Sequence, residues 1–257
     1  MFGGFLQLKP VVKNLLVLNI IMFVLYWLGR AAGQIDLNGY LGLYYFKSEN
    51  FRSWQVLAHM FMHGGFWHIF MNMWALVLFG QVLESVWGPK RFLIYYTVCG
   101  LGAALTMQFI QGLQYNHLHD LISPQNMQYL LDSNYNALNN ALPSLSQTEA
   151  SSILKMNELL HVPTVGASGA IFGLLLAFGV LFPNTPLMIM FVPIPIKAKY
   201  FVIGYGLVEL YLAVMQYSSN MGQARMMDNV AHVAHLGGMI FGYILIRYWR
   251  KTTKTLY

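Results

Sequence analysis

Two side chains of this sequence, one hydroxyl and one imidazole, lie near the starts of apolar stretches and could carry out nucleophilic chemistry. Ser168 lies in the tetrapeptide Gly-Ala-Ser-Gly at 166–169, and His235 follows Ala234 at the start of another apolar stretch. Such groups are costly to bury in a membrane, and nucleophilic catalysis is a leading use for them there. Taken alone, however, a serine among small residues is more often a helix-packing residue.

Small residues accompany both candidates at helical spacing. They are Gly169 and Gly173 beside Ser168, and Ala234, Gly238 and Gly242 beside His235. Because such stripes let helix backbones approach, we expect the imidazole of His235 to reach the hydroxyl and act as general base and then general acid. His232 is a competing base one turn earlier, but only His235 has the glycines in matching register. No carboxylate lies near either residue in these two helices, so the sequence favours a dyad over a triad.

His68 and Asn72 form a second pair, because residues four apart project from the same face of a helix. Imidazole N–H and amide NH2 groups are suitable donors to the negative oxygen of a tetrahedral intermediate, in addition to the backbone N–H of Ser168. We therefore predict that both residues support this oxyanion. The simpler alternative for Asn72 is a hydrogen bond that joins helices.

The composition indicates where this chemistry takes place. Hydrophobic residues make up 57% of the 257 residues and charged residues 9%, with a mean hydropathy of +0.50. Since a soluble domain carries about 25% charged residues, the sequence predicts an integral membrane protein. The lone cysteine, Cys99, lies in an apolar run and has no second cysteine for an internal disulfide or a thiolate metal cage.

Six apolar stretches are long enough, or nearly so, for the roughly 20 helical residues that cross a bilayer. The predicted transmembrane helices are 11–31, 67–87, 91–110, 167–181, 199–217 and 229–249. The predicted fold class is therefore an all-α polytopic membrane protein, with a single domain over residues 1–257 because no Pro- or Ser-rich linker isolates a second core.

The segment 111–163 is predicted as an extended outer loop between the third and fourth helices. It has helix-like apolar spacing at Met127, Leu130, Leu131 and Leu138. We expect it to lie on the outer membrane surface, where it either shapes substrate access or is an insertion without a catalytic role.

The basic residues predict the orientation, because they accumulate on the cytoplasmic side. With the N-terminus inside, ten of the fifteen lysines and arginines fall on that side, so both termini are predicted to be cytoplasmic. This sidedness and contact with anionic lipid explain the net charge of +6 without a nucleic-acid partner.

The four candidate side chains then share the outer half of the membrane, where hydrolysis requires a water-filled cavity open to the outer side. The absence of a targeting extension favours a bacterial plasma membrane.

Several motifs together resemble the rhomboid family of intramembrane serine proteases over nearly the whole chain. They are Trp54, His63, His-Ile-Phe-Met-Asn-Met at 68–73, Gly-Ala-Ser-Gly-Ala-Ile-Phe-Gly at 166–173 and Ala-His-Leu-Gly-Gly-Met-Ile-Phe-Gly at 234–242. Each is weak evidence alone, but their order on the second, fourth and sixth helices is highly specific. One departure is Gln55, since many relatives have an arginine after the tryptophan that matches Trp54.

The resemblance implies a compact six-helix bundle, Ser168 as nucleophile, His235 as base, and His68 with Asn72 at the oxyanion. It implies no cofactor and no metal, and substrates that are single-span membrane proteins cut in or near their transmembrane segment. It also implies a gate made by the fifth helix and the loop before the sixth.

Other functions are compatible with parts of the pattern. A histidine-ligated metal or haem protein is suggested by His59, His63, His68, His232 and His235, although the His-Glu-x-x-His zinc motif is absent. A catalytically inactive relative that binds membrane proteins is a second alternative, but it would be expected to lack Ser168 or His235. A transporter is a third, without the inverted repeat that it would need.

Glu209 is an acid within the fifth predicted helix. A carboxylate inside a membrane is a functional candidate by default. Its place near the middle of that helix predicts a position deeper than Ser168 and His235, and hence a protonated or hydrogen-bonded structural role.

Overall fold

The structure, a computed structural model, describes residues 8–33, 35–131, 135–189, 192–218 and 232–252. These residues form α-helices and one two-stranded antiparallel sheet. The helices are α1 (Pro10–Ala31), α2 (Leu37–Leu41), α3 (Gln55–Ala58), α4 (Phe66–His119), α5 (Pro124–Leu131), α6 (Tyr135–Ala141), α7 (Gln147–His161), α8 (Ser168–Leu181), α9 (Ala198–Ser218) and α10 (His232–Thr252). The strands are β1 (Pro186–Ile189) and β2 (Val192–Lys197), and short 3-10 turns lie at His59–Phe61 and Leu142–Ser144.

Three of the described helices are long and apolar enough to cross a membrane: α1, α4 and, over Ala198–Gln216, α9. α8 is apolar but has 14 residues, which cover about 21 Å and fall short of a hydrocarbon core of ~30 Å. The predicted helix 229–249 begins outside the described residues, and α10 is helical from His232 onward.

A break at Gly88 divides the 54 residues of α4 into two arms, residues 66–87 and 89–119. Gly88 has a φ of 74°, which glycine adopts at little cost, and Pro89 lacks the N–H that would continue the helical hydrogen bonding. The arms correspond to the predicted helices 67–87 and 91–110. The second arm continues beyond the predicted end at Ile110 and remains helical to His119.

The second arm of α4 packs with α8 and α10 at the centre of the bundle, and glycines bring these backbones together. A Cβ on Gly173 of α8 would overlap the side chain of Cys99 on α4. A Cβ on Gly237 of α10 would lie 2.6 Å from Thr106 of α4. Small residues therefore let the helix that begins with Ser168 and the helix that carries His235 both pack closely against the second arm of α4.

A buried carboxylate on α4 holds the N-terminus of α1. The two oxygens of Glu84 accept hydrogen bonds from the backbone N–H groups of Val11 at 3.0 Å and Val12 at 2.9 Å. First-turn N–H groups have no partners within their own helix, so Glu84 satisfies two of them and faces the positive end of the helix dipole.

The segment 111–163, predicted as an extended loop, is instead largely helical: it contains the end of α4 and the whole of α5, α6 and α7. Its predicted apolar spacing explains this difference, because Met127, Leu130 and Leu138 are buried in a second hydrophobic core with Ile153. Leu131 is exposed. Short amphipathic helices can therefore pack on one another and on Tyr45, in the loop between α2 and α3, without becoming membrane spans.

Polar side chains fasten this helical segment together. Glu149 on α7 accepts hydrogen bonds from the backbone N–H of Ser123 at 2.8 Å and from Nδ2 of Asn126 at 3.0 Å. These hydrogen bonds lower the pKa of the Glu149 carboxyl. Ser146 caps the start of α7 by accepting from the backbone N–H of Glu149.

Gln55, the departure from the family pattern, anchors the loop between α2 and α3. Its buried amide donates to the carbonyl of Asn50 at 3.0 Å and that of Tyr40 at 3.3 Å, and its oxygen accepts from the backbone N–H of Arg52 at 3.0 Å. A neutral amide therefore holds the loop through both donors and acceptors.

Candidate active site

Ser168 is the first residue of α8, and the chain turns sharply just before it. Gly166 has a φ of 131°, which strongly favours glycine, and its N–H donates to the carbonyl of His59 at 2.9 Å. This contact joins the segment before α8 to the 3-10 turn at His59–Phe61. As the first helical residue, Ser168 has a backbone N–H without a partner inside its own helix.

The Ser168 hydroxyl meets the predicted imidazole. Oγ of Ser168 and Nε2 of His235 are 2.8 Å apart, which is a normal hydrogen-bond length. His235 is buried and Ser168 is half-buried. The structure thus brings together two residues that are 67 positions apart in the chain.

An aromatic ring sets the plane of the imidazole. Phe172, one turn after Ser168 on α8, stacks on His235 with ring centroids 4.0 Å apart and an angle of 8° between the planes. The stacked ring restricts rotation of the imidazole out of line with the serine hydroxyl.

Glu209 lies at the other end of the imidazole and is hydrogen-bonded, as the sequence predicted. Its Oε2 is 2.9 Å from Nδ1 of His235 and 2.7 Å from Nδ1 of His232. All three side chains are buried. The sequence predicted a pair without a carboxylate because no acid lies near Ser168 or His235 in their own helices. The acid comes instead from a third helix, α9. The one signal in the sequence was an acid in an apolar helix, and that signal does not reveal its partner.

Of the predicted oxyanion pair, His68 lies beside the serine, and Asn72 is bonded to the carbonyl of His68. A Cβ on Gly166 would be 2.8 Å from Nε2 of His68 and 3.6 Å from Oγ of Ser168, so the imidazole and the hydroxyl flank the same glycine. Nδ2 of Asn72 donates to the carbonyl of His68 at 2.9 Å, which uses one of the two N–H groups of the amide. The simpler role considered for Asn72, a hydrogen bond to another helix, is not the bond observed.

A cavity of about 1220 Å³ opens beside these side chains and includes Ser168, His235, His68 and Asn72 in its wall. Its other walls include Trp67 and Met71 from the first arm of α4, together with Phe201 and Tyr205 from α9. The predicted gate includes the loop before α10, which lies outside the described residues, whereas its helical part corresponds to α9.

The five histidines that suggested a metal or haem do not gather at one centre. Among the described residues, Glu209, His232 and His235 offer three possible metal ligands within 4.8 Å of one another. His59 instead donates from Nδ1 to the carbonyl of Gln55 at 3.0 Å. His63 is fully buried, and its ring centroid lies 5.0 Å from that of His68. The carboxylate contacts at 2.7 and 2.9 Å are normal hydrogen-bond lengths, so proton sharing explains the three-residue group.

Comparison with known proteins agrees with the motifs. A family model described as "Rhomboid domain" matches residues 50–252. The chain is 26% identical over 117 residues to "Putative rhomboid protease YdcA" of Bacillus subtilis (strain 168), a match that covers 46% of this chain and 58% of the relative. It is 24% identical over 246 residues to "Rhomboid protein 1, mitochondrial" of Saccharomyces cerevisiae, which covers 96% of this chain and 55% of the relative.

A third relative is described by its name as inactive. "Inactive RHOMBOID-like protein 8" of Arabidopsis thaliana is 28% identical over 87 residues, which are 34% of this chain and 24% of that protein. The chain spans less than two thirds of the length of each of these three relatives.

Proposed function

Because the chain belongs to the rhomboid family, we propose that it is a serine endopeptidase that works in a lipid bilayer and cleaves single-span membrane proteins in or near their transmembrane segments. The observation that carries this proposal is the hydrogen bond of 2.8 Å between Oγ of Ser168 and Nε2 of His235. A hydroxyl bonded to an unprotonated imidazole nitrogen is a nucleophile next to its base.

In the proposed mechanism, Oγ of Ser168 attacks the carbonyl carbon of the scissile peptide while Nε2 of His235 takes the hydroxyl proton. The negative oxygen receives hydrogen bonds from the Ser168 N–H, His68 and Asn72. The C–N bond then breaks, His235 gives its proton to the departing amine, and an acyl-enzyme remains. Water from the cavity loses a proton to His235, attacks the ester carbonyl and releases Ser168 with its hydroxyl proton restored.

The proposed architecture is a single membrane domain over residues 1–257 with six membrane spans and both termini in the cytoplasm. The two arms of α4 supply two spans, and α1, α8, α9 and α10 supply the others. We place the protein in a bacterial plasma membrane. A fluorescent protein fused after Tyr257 should fluoresce, whereas a periplasm-dependent phosphatase at the same site should be inactive; the opposite pattern contradicts this orientation.

The principal alternative is an inactive membrane-protein binder, since one relative is named inactive. The bonded pair of Ser168 and His235 favours the enzyme, because an inactive protein has no need for a hydroxyl aligned on an imidazole. A binder would hold a transmembrane substrate without cutting it.

The test uses purified protein in liposomes with a model single-span substrate and a serine-directed fluorophosphonate probe. We expect the wild type to cleave the substrate and to be labelled by the probe, and Ser168→Ala to do neither. Ser152→Ala is the matched control, because Ser152 is a buried serine on α7 whose hydroxyl donates to the carbonyl of Thr148. Cleavage by Ser168→Ala would remove this residue from the mechanism, and binding without cleavage by the wild type would support the alternative.

A further inference from the structure

One carboxylate oxygen joins two imidazoles behind the serine. Oε2 of Glu209 is within hydrogen-bond distance of Nδ1 of both His232 and His235, and each of these side chains is at most 8% exposed. Glu209 comes from α9, and both histidines come from α10. The arrangement therefore links the two helices at the level of Ser168.

The contact with the carboxylate determines which nitrogen of His235 carries the proton. An ionised carboxylate only accepts hydrogen bonds, so Nδ1 of His235 must donate to it. In a neutral ring, Nε2 is then left unprotonated and faces the Ser168 hydroxyl at 2.8 Å. In the opposite tautomer, Nε2 would carry a proton and could not accept the one on Ser168.

The second imidazole satisfies the same carboxylate. An unpaired buried charge is costly, and the Nδ1–H of His232 gives Oε2 a second donor at 2.7 Å. His232 has no contact with Ser168 among the hydrogen bonds of the described residues. His232 therefore lies on the opposite side of the Glu209 carboxylate from Ser168.

We propose that Glu209 is a positioning residue that holds His235 in the tautomer and orientation needed to activate Ser168, and that His232 steadies the Glu209 carboxylate. This inference rests on the proposed proteolytic function. It extends the serine and histidine pair to a linear arrangement of acid, imidazole and hydroxyl whose acid is supplied by a third helix. During attack, the imidazolium that forms on His235 is stabilised by the adjacent negative charge.

Among the titratable groups that the described residues place near His235, Glu209 is the one that can supply a negative charge at neutral pH. Tyr205, one turn earlier on α9, interacts with Glu209, and His68 on α4 interacts with His235. A tyrosine hydroxyl and a second imidazole supply no negative charge at neutral pH. Within the described part of the chain, Glu209 is the one carboxylate bonded to His235.

The test measures kcat and KM of Glu209→Gln and Glu209→Asp with the liposome substrate. We expect Glu209→Gln to lose up to about 10⁴-fold in kcat, as the same change of acid to amide does in soluble serine proteases, because the negative charge is gone and an NH2 group turned toward Nδ1 donates to it and favours the opposite tautomer. KM should change little, since the carboxylate does not contact substrate. Glu209→Asp keeps the charge and should recover part of the lost kcat.

Two matched controls separate positioning from a general effect on folding. Glu84→Gln alters another buried carboxylate, which accepts from the backbone of α1 and is not in the wall of the cavity beside Ser168, and it should lower stability without the loss in kcat. His232→Gln keeps a donor to Glu209 and should lose less kcat than Glu209→Gln. Thermal unfolding in detergent monitors folding of each variant.

Three results would overturn the proposal. They are wild-type kcat in a folded Glu209→Gln protein, a kcat of Glu209→Asp as low as that of Glu209→Gln although both are folded, and inhibition of the wild type by a membrane-permeable chelator, which would assign the cluster to a metal. Each is distinct from failure of the proteolytic function itself, which would appear as undiminished cleavage by Ser168→Ala.

Discussion

Gly238 on α10 lies directly against the backbone carbonyl of Gly169 on α8, with no space for a side chain between them. A Cβ on Gly238 would overlap the carbonyl oxygen of Gly169, and backbone atoms cannot swing aside as the end of a side chain can. This contact lies one residue after Ser168 and three after His235. It therefore controls the distance between hydroxyl and imidazole.

Gly238→Ala should separate α8 from α10 and impair both stability and catalysis. We expect a loss of about 1–3 kcal/mol in the free energy of unfolding, as for an overpacked core. A displacement of 1 Å can cost about 10²-fold in rate, so kcat should fall accordingly. Gly204→Ala on α9 is the control, because no atom lies within 4 Å of the added Cβ and its stability should be unchanged or higher. Wild-type activity in Gly238→Ala would show that the helices can separate without harm.

His68→Ala should reduce kcat by about 10²- to 10³-fold, corresponding to about 2.7–4 kcal/mol, if its imidazole donates to the oxyanion. The reason is its position beside Gly166 and the Ser168 hydroxyl. KM should change less, because the oxyanion exists in the transition state. His119→Ala, at the exposed end of α4, should retain the wild-type kcat. A fall confined to KM would assign His68 to substrate binding instead.

Acid should destabilise the protein through His63. Burial, aided by the neighbouring His68, lowers the pKa of His63 from 6.5 to about 3, so the unfolded state binds the proton more tightly than the folded state. Stability is therefore lost as the pH falls below about 6.5, with ~2 kcal/mol gone by about pH 5. His63→Met should show a smaller fall in unfolding temperature between these pH values, whereas His117→Met, an exposed site, should follow the wild type. Equal acid sensitivity in His63→Met would contradict this account.

Leu130→Ala should loosen the helices α5 to α7 and leave catalysis unchanged. Leu130 is fully buried in the second hydrophobic core, and its truncation should cost about 2–5 kcal/mol. Leu131→Ala, at an exposed neighbour, should cost less than about 0.5 kcal/mol. Hydrogen exchange measured over residues 121–161 should rise in Leu130→Ala alone. A parallel loss of cleavage would assign this segment a role in substrate access.

Much of this fold and of the candidate site can be predicted from local sequence patterns. The close approach of Ser168 and His235 is predicted by the glycines at helical spacing, because small residues one turn apart let two helix backbones come together. His68 and Asn72 follow from a spacing of four. Helix ends were harder to predict, since nothing in the sequence stops α4 at Ile110 and the helix continues to His119.

Contacts between distant segments were not predictable in the same way. Glu209 meets His235 across two helices, and its partner depends on how α9 rotates against α10. The helices in 121–161 have too few apolar residues to resemble membrane spans, and they become stable by packing on each other and on Tyr45. The contact of Glu209 follows no periodic pattern, whereas the apolar spacing in 121–161 indicated helices but not the core that they form together.

The order of Ser168, Glu209 and His235 along the chain has a consequence for biosynthesis. The ribosome adds Ser168 before Glu209 and His235, and His235 follows Ser168 by 67 residues. Until α10 has been inserted, the imidazole of His235 is absent from the side of Ser168, so the proposed nucleophile has no base. Under the proposed mechanism, insertion of α10 is therefore the step that completes the pair of hydroxyl and imidazole.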